Sequence, residues 1–152
     1  MNGGFPREGM GILRAEWRIH ACELDDMALL QKSLEWLSGV DDCVVWEKDK
    51  SFHGPPISIG IVRIGRKKLA RESLARLGSE TLMHLLSDGL EKRIDDDKNM
   101  HLRISLSKLV KGEVRLCSKD RSEAFVKGVF KIESYPGEHH LKIIMDLLRS
   151  MT

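Results

Sequence analysis

The stretch of residues 13–22 constrains the fold of this 152-residue chain more than any other segment. Apolar or small residues alternate there with polar ones: Leu13, Ala15, Trp17, Ile19 and Ala21 against Arg14, Glu16, Arg18, His20 and Cys22. A repeat of two residues is that of a β-strand with one buried and one solvated face. Such strands are typical of antiparallel sheets that meet water on one side. The alternation therefore predicts an open sheet face that carries Arg14, Arg18 and His20.

The spacing of apolar residues predicts the other elements. Strands are expected at residues 43–48, 57–64, 100–106, 114–116 and 125–134. Helices are expected at residues 27–38, 66–77, 79–94 and 138–150, with one further helical turn at 109–112. Strands that follow one another through short turns favour antiparallel pairing, and helices then cover the apolar face of the sheet. The prediction is an α+β fold, a single mainly antiparallel sheet with helices packed on one face. Lys127 and Lys131 alternate with apolar residues and are expected on the open face.

Length and charge limit the classes of protein that this chain can represent. Its 152 residues fit one domain, which we place at residues 13–152 behind a flexible, glycine-rich tail at 1–12. The formal net charge of +2 excludes a bulk polycation. Affinity for nucleic acid would therefore have to come from the clustering of cations and not from their total.

The cysteines argue against structural metals and disulfides. Cys22, Cys43 and Cys117 are odd in number and far apart, whereas a zinc site or a disulfide framework needs matched partners. We expect reduced thiols and a cytoplasmic location. No apolar run approaches the length of about 20 residues that spans a bilayer, so no membrane partner is expected.

No motif indicates a cofactor or catalysis. Residues 95–99 begin like a calcium loop, but Met100 and Leu106 occupy the positions of its glycine and its bidentate glutamate. Nucleophile elbows, Walker loops and zinc-protease motifs are missing from the sequence. We therefore predict a binding protein without a metal, a cofactor or an enzymatic activity.

The densest basic run is the candidate binding site. It comprises Arg63, Arg66, Lys67, Lys68, Arg71 and Arg76, opposed only by Glu72. On a helix, the cations at 66–71 would lie within two turns, next to a positive helix N-terminus that suits phosphate. The alternative is an ordinary solvated helix face, which has equal weight here. Lys48, Lys50 and His53 extend the run, and Arg14 and Arg18 form a second candidate surface.

Short motifs resemble a known family. They are the segment Phe52-His53-Gly54-Pro55-Pro56-Ile57, the segment at residues 90–97 and the pair Tyr135-Pro136 before the last helix. Together they resemble a group of archaeal RNA-binding proteins described as associated with the exosome. The resemblance extends from Leu13 to the end of the chain. It implies a fold like that of ribosomal protein L5, no catalytic activity, RNA as a partner and an accessory role in RNA processing.

The sequence thus predicts a non-catalytic protein that contacts structured or double-stranded RNA mainly through phosphates. The alternative is an adaptor for protein partners or a homodimeric module without RNA affinity. A contiguous basic surface favours the first interpretation, whereas a broad exposed apolar patch favours the second.

Overall fold

The computed structural model describes residues 11–22, 25–49, 57–117 and 123–152. The strands are β1 (Ile12–Ala21), β2 (Val45–Asp49), β3 (Ile57–Ile64), β4 (Asn99–Ser105) and β5 (Phe125–Ile132). The helices are α1 (Met27–Ser38), α2 (Lys67–Ala75), α3 (Ser79–Ser87), the short α4 (Leu106–Leu109) and α5 (His140–Met151). A 3₁₀ helix occupies Leu90–Arg93 between α3 and β4.

The predicted bounds of α1 and β3 are confirmed, because local chemistry decides both. The Asp26 side chain accepts a hydrogen bond from the Leu29 amide at 3.2 Å, which satisfies an unpaired donor of the first turn. Gly39 ends the helix in the left-handed conformation at φ 76°. The strand β3 begins directly after Pro55 and Pro56 in the sequence, and prolines cannot donate ladder hydrogen bonds.

Two predicted elements are wrong. The helix expected at 79–94 stops at Ser87, because Gly89 adopts a left-handed conformation at φ 65° and the chain restarts as the 3₁₀ helix. The strand expected at 114–116 does not form a hairpin with β5. Leu116 instead makes an isolated bridge to Ile104, on the outer side of β4. Among the described residues the sheet therefore has five strands and not six.

The strands form one antiparallel sheet in the order β2-β3-β1-β5-β4. Every described helix contributes buried residues to a single core. The strands contribute alternate residues to that core, among them Trp17 on β1, Phe130 on β5 and Leu102 on β4. The predicted α+β fold with helices on one face of an antiparallel sheet is confirmed.

Trp17 lies at the centre of the core and is completely buried, as predicted. Its ring occupies the space above Gly128, where an added Cβ would come within 2.5 Å of the ring. Its Nε1 donates a hydrogen bond to Ser73 Oγ at 2.8 Å, and its ring meets Phe130 edge to face. Trp17 therefore packs against α2.

The other two tryptophans differ from each other. The large apolar side chain of Trp36 predicts a position in or near the core, but 48% of the residue is exposed on α1. Trp46 lies over Gly60 and donates from Nε1 to Gln31 Oε1 at 3.0 Å. Its ring thus packs on the helix side of the sheet and is not an exposed stacking surface for bases.

The strand β1 begins one residue earlier than the sequence predicts. Ile12 is fully buried and pairs with Ile132, so β1 includes the last residue assigned to the tail. Gly11 packs against α5, because a Cβ there would lie 2.8 Å from Leu147. The rest of the predicted tail lies outside the described residues. No described helix is long and apolar enough to cross a membrane.

Candidate nucleic-acid interface

The face of the sheet opposite the core carries the predicted basic residues. The strand register makes Arg14 and Lys131 direct neighbours on this face, and Lys131 in turn neighbours Asn99. Four residues further along, Arg18 neighbours Lys127, which neighbours Arg103. Directly opposed side chains of adjacent strands have Cβ atoms about 4.5–5.5 Å apart. The sequence-predicted placement of Arg14 and Arg18 on an open face is confirmed.

The first turn of α2 lies at the same end of the sheet as Arg14 and Lys131. Lys67 forms an ion pair and hydrogen bond with Glu133, the residue directly after β5. The Glu133 side chain is only 10% exposed, and its amide donates to the Gly11 carbonyl at 2.9 Å. The hydrogen bond to Glu133 raises the pKa of Lys67, so this side chain stays protonated. Two contacts thus anchor the helix start beside the ends of β1 and β5.

Glu16 partly neutralises the open face. Its carboxylate lies 3.4 Å from Arg18 Nη2 and 3.3 Å from Arg63 Nε. The single negative charge of Glu16 therefore faces the two positive charges of Arg18 and Arg63, which leaves a net charge of one positive unit among these three residues. Exposed ion pairs contribute little to stability and are screened by salt, so a phosphate can compete for Arg63, whose side chain is 62% exposed.

These contacts define what we call the basic end surface. It consists of Arg14, Arg63, Arg66, Lys67, Lys68 and Lys131. A shallow hollow of about 340 Å³ lies on it, lined in part by Arg14, Arg63 and Lys131. The Arg66, Lys67 and Lys68 residues are exposed at the start of α2. The structure therefore joins part of the predicted basic run with Arg14, which the sequence had assigned to a separate surface.

Other predicted site residues lie elsewhere. Lys48 pairs with Ser58, five residues before Arg63 on β3, so about 17 Å separates it from the basic end surface at the usual rise of a strand. Arg71 lies one helical turn beyond Lys67 and is half-buried. Lys50 lies outside the described residues. Arg18 lies in the middle of the open face, two residues beyond Glu16 along β1 and further from the basic end surface.

Sequence reasoning missed a second group of cations, namely Lys92, Arg93 and Arg103. Residues 88–97 are mainly acidic in the sequence, whereas the 3₁₀ helix brings Lys92 and Arg93 next to β4. Arg103 could have been found, because residues 99, 101 and 103 alternate with Met100, Leu102 and Ile104. Its guanidinium carbon lies 4.5 Å from the centre of the Phe125 ring, in cation–π contact.

The turn before β4 is held by its own side chains. Asp95 Oδ1 accepts from the amides of Asp97 and Asn99, each at 2.9 Å, and Oδ2 lies 2.7 Å from His101 Nε2. The hydrogen bond to His101, followed by that from the Asn99 amide, lowers the pKa of the Asp95 carboxyl to about 2. Residues 95–99 thus form an Asx-type turn. In the parts of the chain that the structure describes, no three His, Cys, Asp or Glu residues group as metal ligands would.

The sequence matches one family model over residues 14–146, and that family is described as RNA binding. The chain belongs to this family. No curated protein matches the sequence. The match covers every residue of the basic end surface, as well as the cations around β4.

Solved structures with a similar fold come from archaea. A DUF54 protein from Methanothermobacter thermautotrophicus is 20% identical, with a TM-score of 0.73 over 93% of this chain and 98% of that one. A DUF54 protein from Archaeglobus fulgidus is 22% identical, with a TM-score of 0.72 over 93% and 99%. A UPF0201 protein from Methanococcus jannaschii is 13% identical, with a TM-score of 0.59 over 90% and 99%. At these identities the likeness concerns the fold alone, and the resemblance to ribosomal protein L5 stays a prediction.

Proposed function

We propose that this protein binds structured or double-stranded RNA non-catalytically, through contacts between its basic end surface and backbone phosphates. The observation that carries the proposal is the convergence of cations from four elements at one end of the sheet. Arg14, Arg63 and Lys131 come from three strands, and the start of α2 adds three more cations. Membership of a family described as RNA binding supports the same class of partner.

The chemistry of this surface favours phosphates over bases. Lysine and arginine neutralise phosphates without reading sequence. Proteins that bind single strands usually add several aromatic rings on which successive bases stack. Beside the basic end surface the described residues offer one exposed ring, that of Tyr135, which lies near Lys67. Double-stranded RNA is recognised through shape, phosphates and 2′-hydroxyls, which needs no such platform.

Lys67 has a structural role that limits its use as a probe. A glutamate at this position would face the nearly buried Glu133, and two carboxylates in contact would disturb the end of β5. Arg66 and Arg14 are better probes. Both are exposed, and neither forms an ion pair with any other described residue.

The test measures the affinity for a short RNA duplex over a range of salt concentrations. About five phosphate contacts should give a slope of log affinity against log salt of roughly −4 to −5, at about 0.9 per contact. The double variant Arg14→Gln/Arg66→Gln should bind more weakly and make the slope shallower by about 2. The effect should be the same for duplexes of different sequence.

A matched control removes two positive charges elsewhere. Lys32 on α1 and Lys142 on α5 are exposed and lie outside the basic end surface. Lys32→Gln/Lys142→Gln changes the net charge by the same amount and should leave the slope as it is in the wild type. Equal slopes of log affinity against log salt for the two double variants would refute the proposed surface. If the wild-type protein does not bind RNA at all, the alternative of a protein adaptor or a homodimeric module is favoured.

An accessory role in RNA processing, including contact with the exosome, extends the proposal. The basic end surface would then hold the RNA, and another face would meet the protein partner. Copurification of exosome subunits with the tagged protein after nuclease treatment tests this role. If the exosome subunits no longer copurify once nuclease has removed the RNA, RNA alone had connected them to the protein.

A further inference from the structure

A recess of about 630 Å³ lies beside β4, apart from the basic end surface. Its walls come from the end of α3, the 3₁₀ helix, the middle of β4, Lys127 on β5 and Cys117. Spaces of about 300–1,000 Å³ are typical of sites for small molecules. The recess thus has the size for one nucleotide and not for a duplex.

Positive charge dominates the lining of this recess. Four of the lining side chains are cations: Lys92, Arg93, Arg103 and Lys127. Asp88 is the only carboxylate among the lining residues, and it is already 3.4 Å from Arg93 Nη2. His101 also lines the recess, with its Nε2 bound to Asp95 outside the lining.

The strand register makes this concentration of charge costly without a ligand. Arg103 lies directly opposite Lys127, and Lys127 lies directly opposite Arg18. Three cations thus stand in a row across about 10 Å of sheet, and like charges opposite each other destabilise strand pairing. Neither Arg103 nor Lys127 forms an ion pair with another described residue. A bound anion would offset the repulsion.

Two of the cations are already oriented. The Arg103 guanidinium lies over the Phe125 ring at 4.5 Å, which fixes its plane. Arg93 is held by Asp88, whose carboxylate lies 3.4 Å from the Arg93 Nη2 atom. Planar guanidinium groups suit phosphate oxygens.

We propose that this recess binds the phosphate monoester of a nucleotide. Four cations exceed what the single charge of a backbone diester requires, whereas a monoester carries about 1.5–2 negative charges at neutral pH. Two sources share this chemistry, namely the phosphorylated end of an RNA strand and a free nucleotide. The first source rests on the proposed RNA-binding function, and the second does not.

The experiment compares single-stranded RNA oligonucleotides of one sequence with a 5′-phosphate, a 3′-phosphate or no terminal phosphate. Calorimetry with adenosine monophosphate tests the free nucleotide. We expect one phosphorylated end to bind about tenfold or more tighter than the unphosphorylated strand, as new charge-assisted hydrogen bonds would give. If the nucleotide is the ligand, adenosine monophosphate binds and adenosine does not.

The variant Lys92→Gln/Lys127→Gln removes two cations of the recess that no described group binds through an ion pair. It should abolish the preference for the phosphorylated end, or the binding of adenosine monophosphate, and leave the affinity for unphosphorylated duplex RNA unchanged. Arg14→Gln/Arg66→Gln is the matched control, which should weaken all RNAs alike and preserve the preference.

The outcomes separate the two proposals. Equal binding of all three ends, with no binding of adenosine monophosphate, overturns the recess proposal and leaves the proposed RNA function intact. A preference for one end that Lys92→Gln/Lys127→Gln does not change also overturns it. Binding of adenosine monophosphate by a protein without RNA affinity supports the recess and refutes the RNA function.

Discussion

Truncation of Trp17 to alanine tests the assignment of the two sheet faces. The indole is completely buried between β1, Gly128 and α2, and it meets Phe130 at a ring-centre distance of 5.5 Å. A tryptophan buries about 150–250 Å², which corresponds to about 4–6 kcal/mol at 25 cal/mol per Å². Measured truncations of large aromatic residues cost about 3–5 kcal/mol, because part of the cavity collapses. We therefore expect Trp17→Ala to lower the free energy of unfolding by about 4 kcal/mol.

Urea denaturation followed by far-UV circular dichroism measures this loss. Tryptophan fluorescence is unsuitable, since the variant removes one of only three reporters. The midpoint should fall while the dependence on urea stays the same, which indicates a change in stability and not in the denatured state. Should Trp17→Ala not fold, Trp17→Phe keeps a ring and removes the hydrogen bond to Ser73, at a cost of about 1–3 kcal/mol.

Trp36→Ala serves as the matched control, because the same side chain is 48% exposed at that position. Its loss should be about half as large or less, in proportion to the smaller buried area. A loss below about 1 kcal/mol for Trp17→Ala, or one no larger than that of Trp36→Ala, would show that the sheet faces are assigned the wrong way round.

Three further predictions concern single positions. Gly128→Ala should destabilise the fold by about 1–3 kcal/mol in the same urea assay, because its Cβ would lie 2.5 Å from the Trp17 ring. The control is Gly112→Ala, whose Cβ would meet no atom within 4 Å, so that its only cost is the strain of a positive φ. Asp95 has a folded pKa of about 2, below its ordinary value of 3.8, so its contribution to stability is present above pH 4 and is lost as the pH falls towards 2. The urea midpoint of Asp95→Asn should therefore decline less than that of the wild type over this interval, and an equal decline would refute the stabilising role of the ionised Asp95 carboxylate. Ser73→Ala removes the acceptor of the buried Trp17 Nε1 and should cost about 1–3 kcal/mol, and a neutral effect would show that this donor finds another partner.

Local chemistry explains where the sequence predicted well. The alternation along β1 needs only the period of a strand, and it assigned Trp17 to the core and Arg14 and Arg18 to the open face. The caps of α1 are equally local, since Asp26 and Gly39 act on the residues next to them. Prediction failed at residues 79–94, where the apolar spacing continues across Gly89 although the helix does not.

Long-range pairing decided the candidate sites. Nothing in the order of residues says that β5 lies between β1 and β4, and this position makes neighbours of Arg18, Lys127 and Arg103. The same pairing brings Arg14 to the start of α2 and separates it from Lys48. The sequence by itself determined that Trp17 and Arg18 lie on opposite faces of β1, because that depends on a period of two. Only the tertiary structure decided which cations share a surface, because strand order and register depend on how the whole apolar face packs.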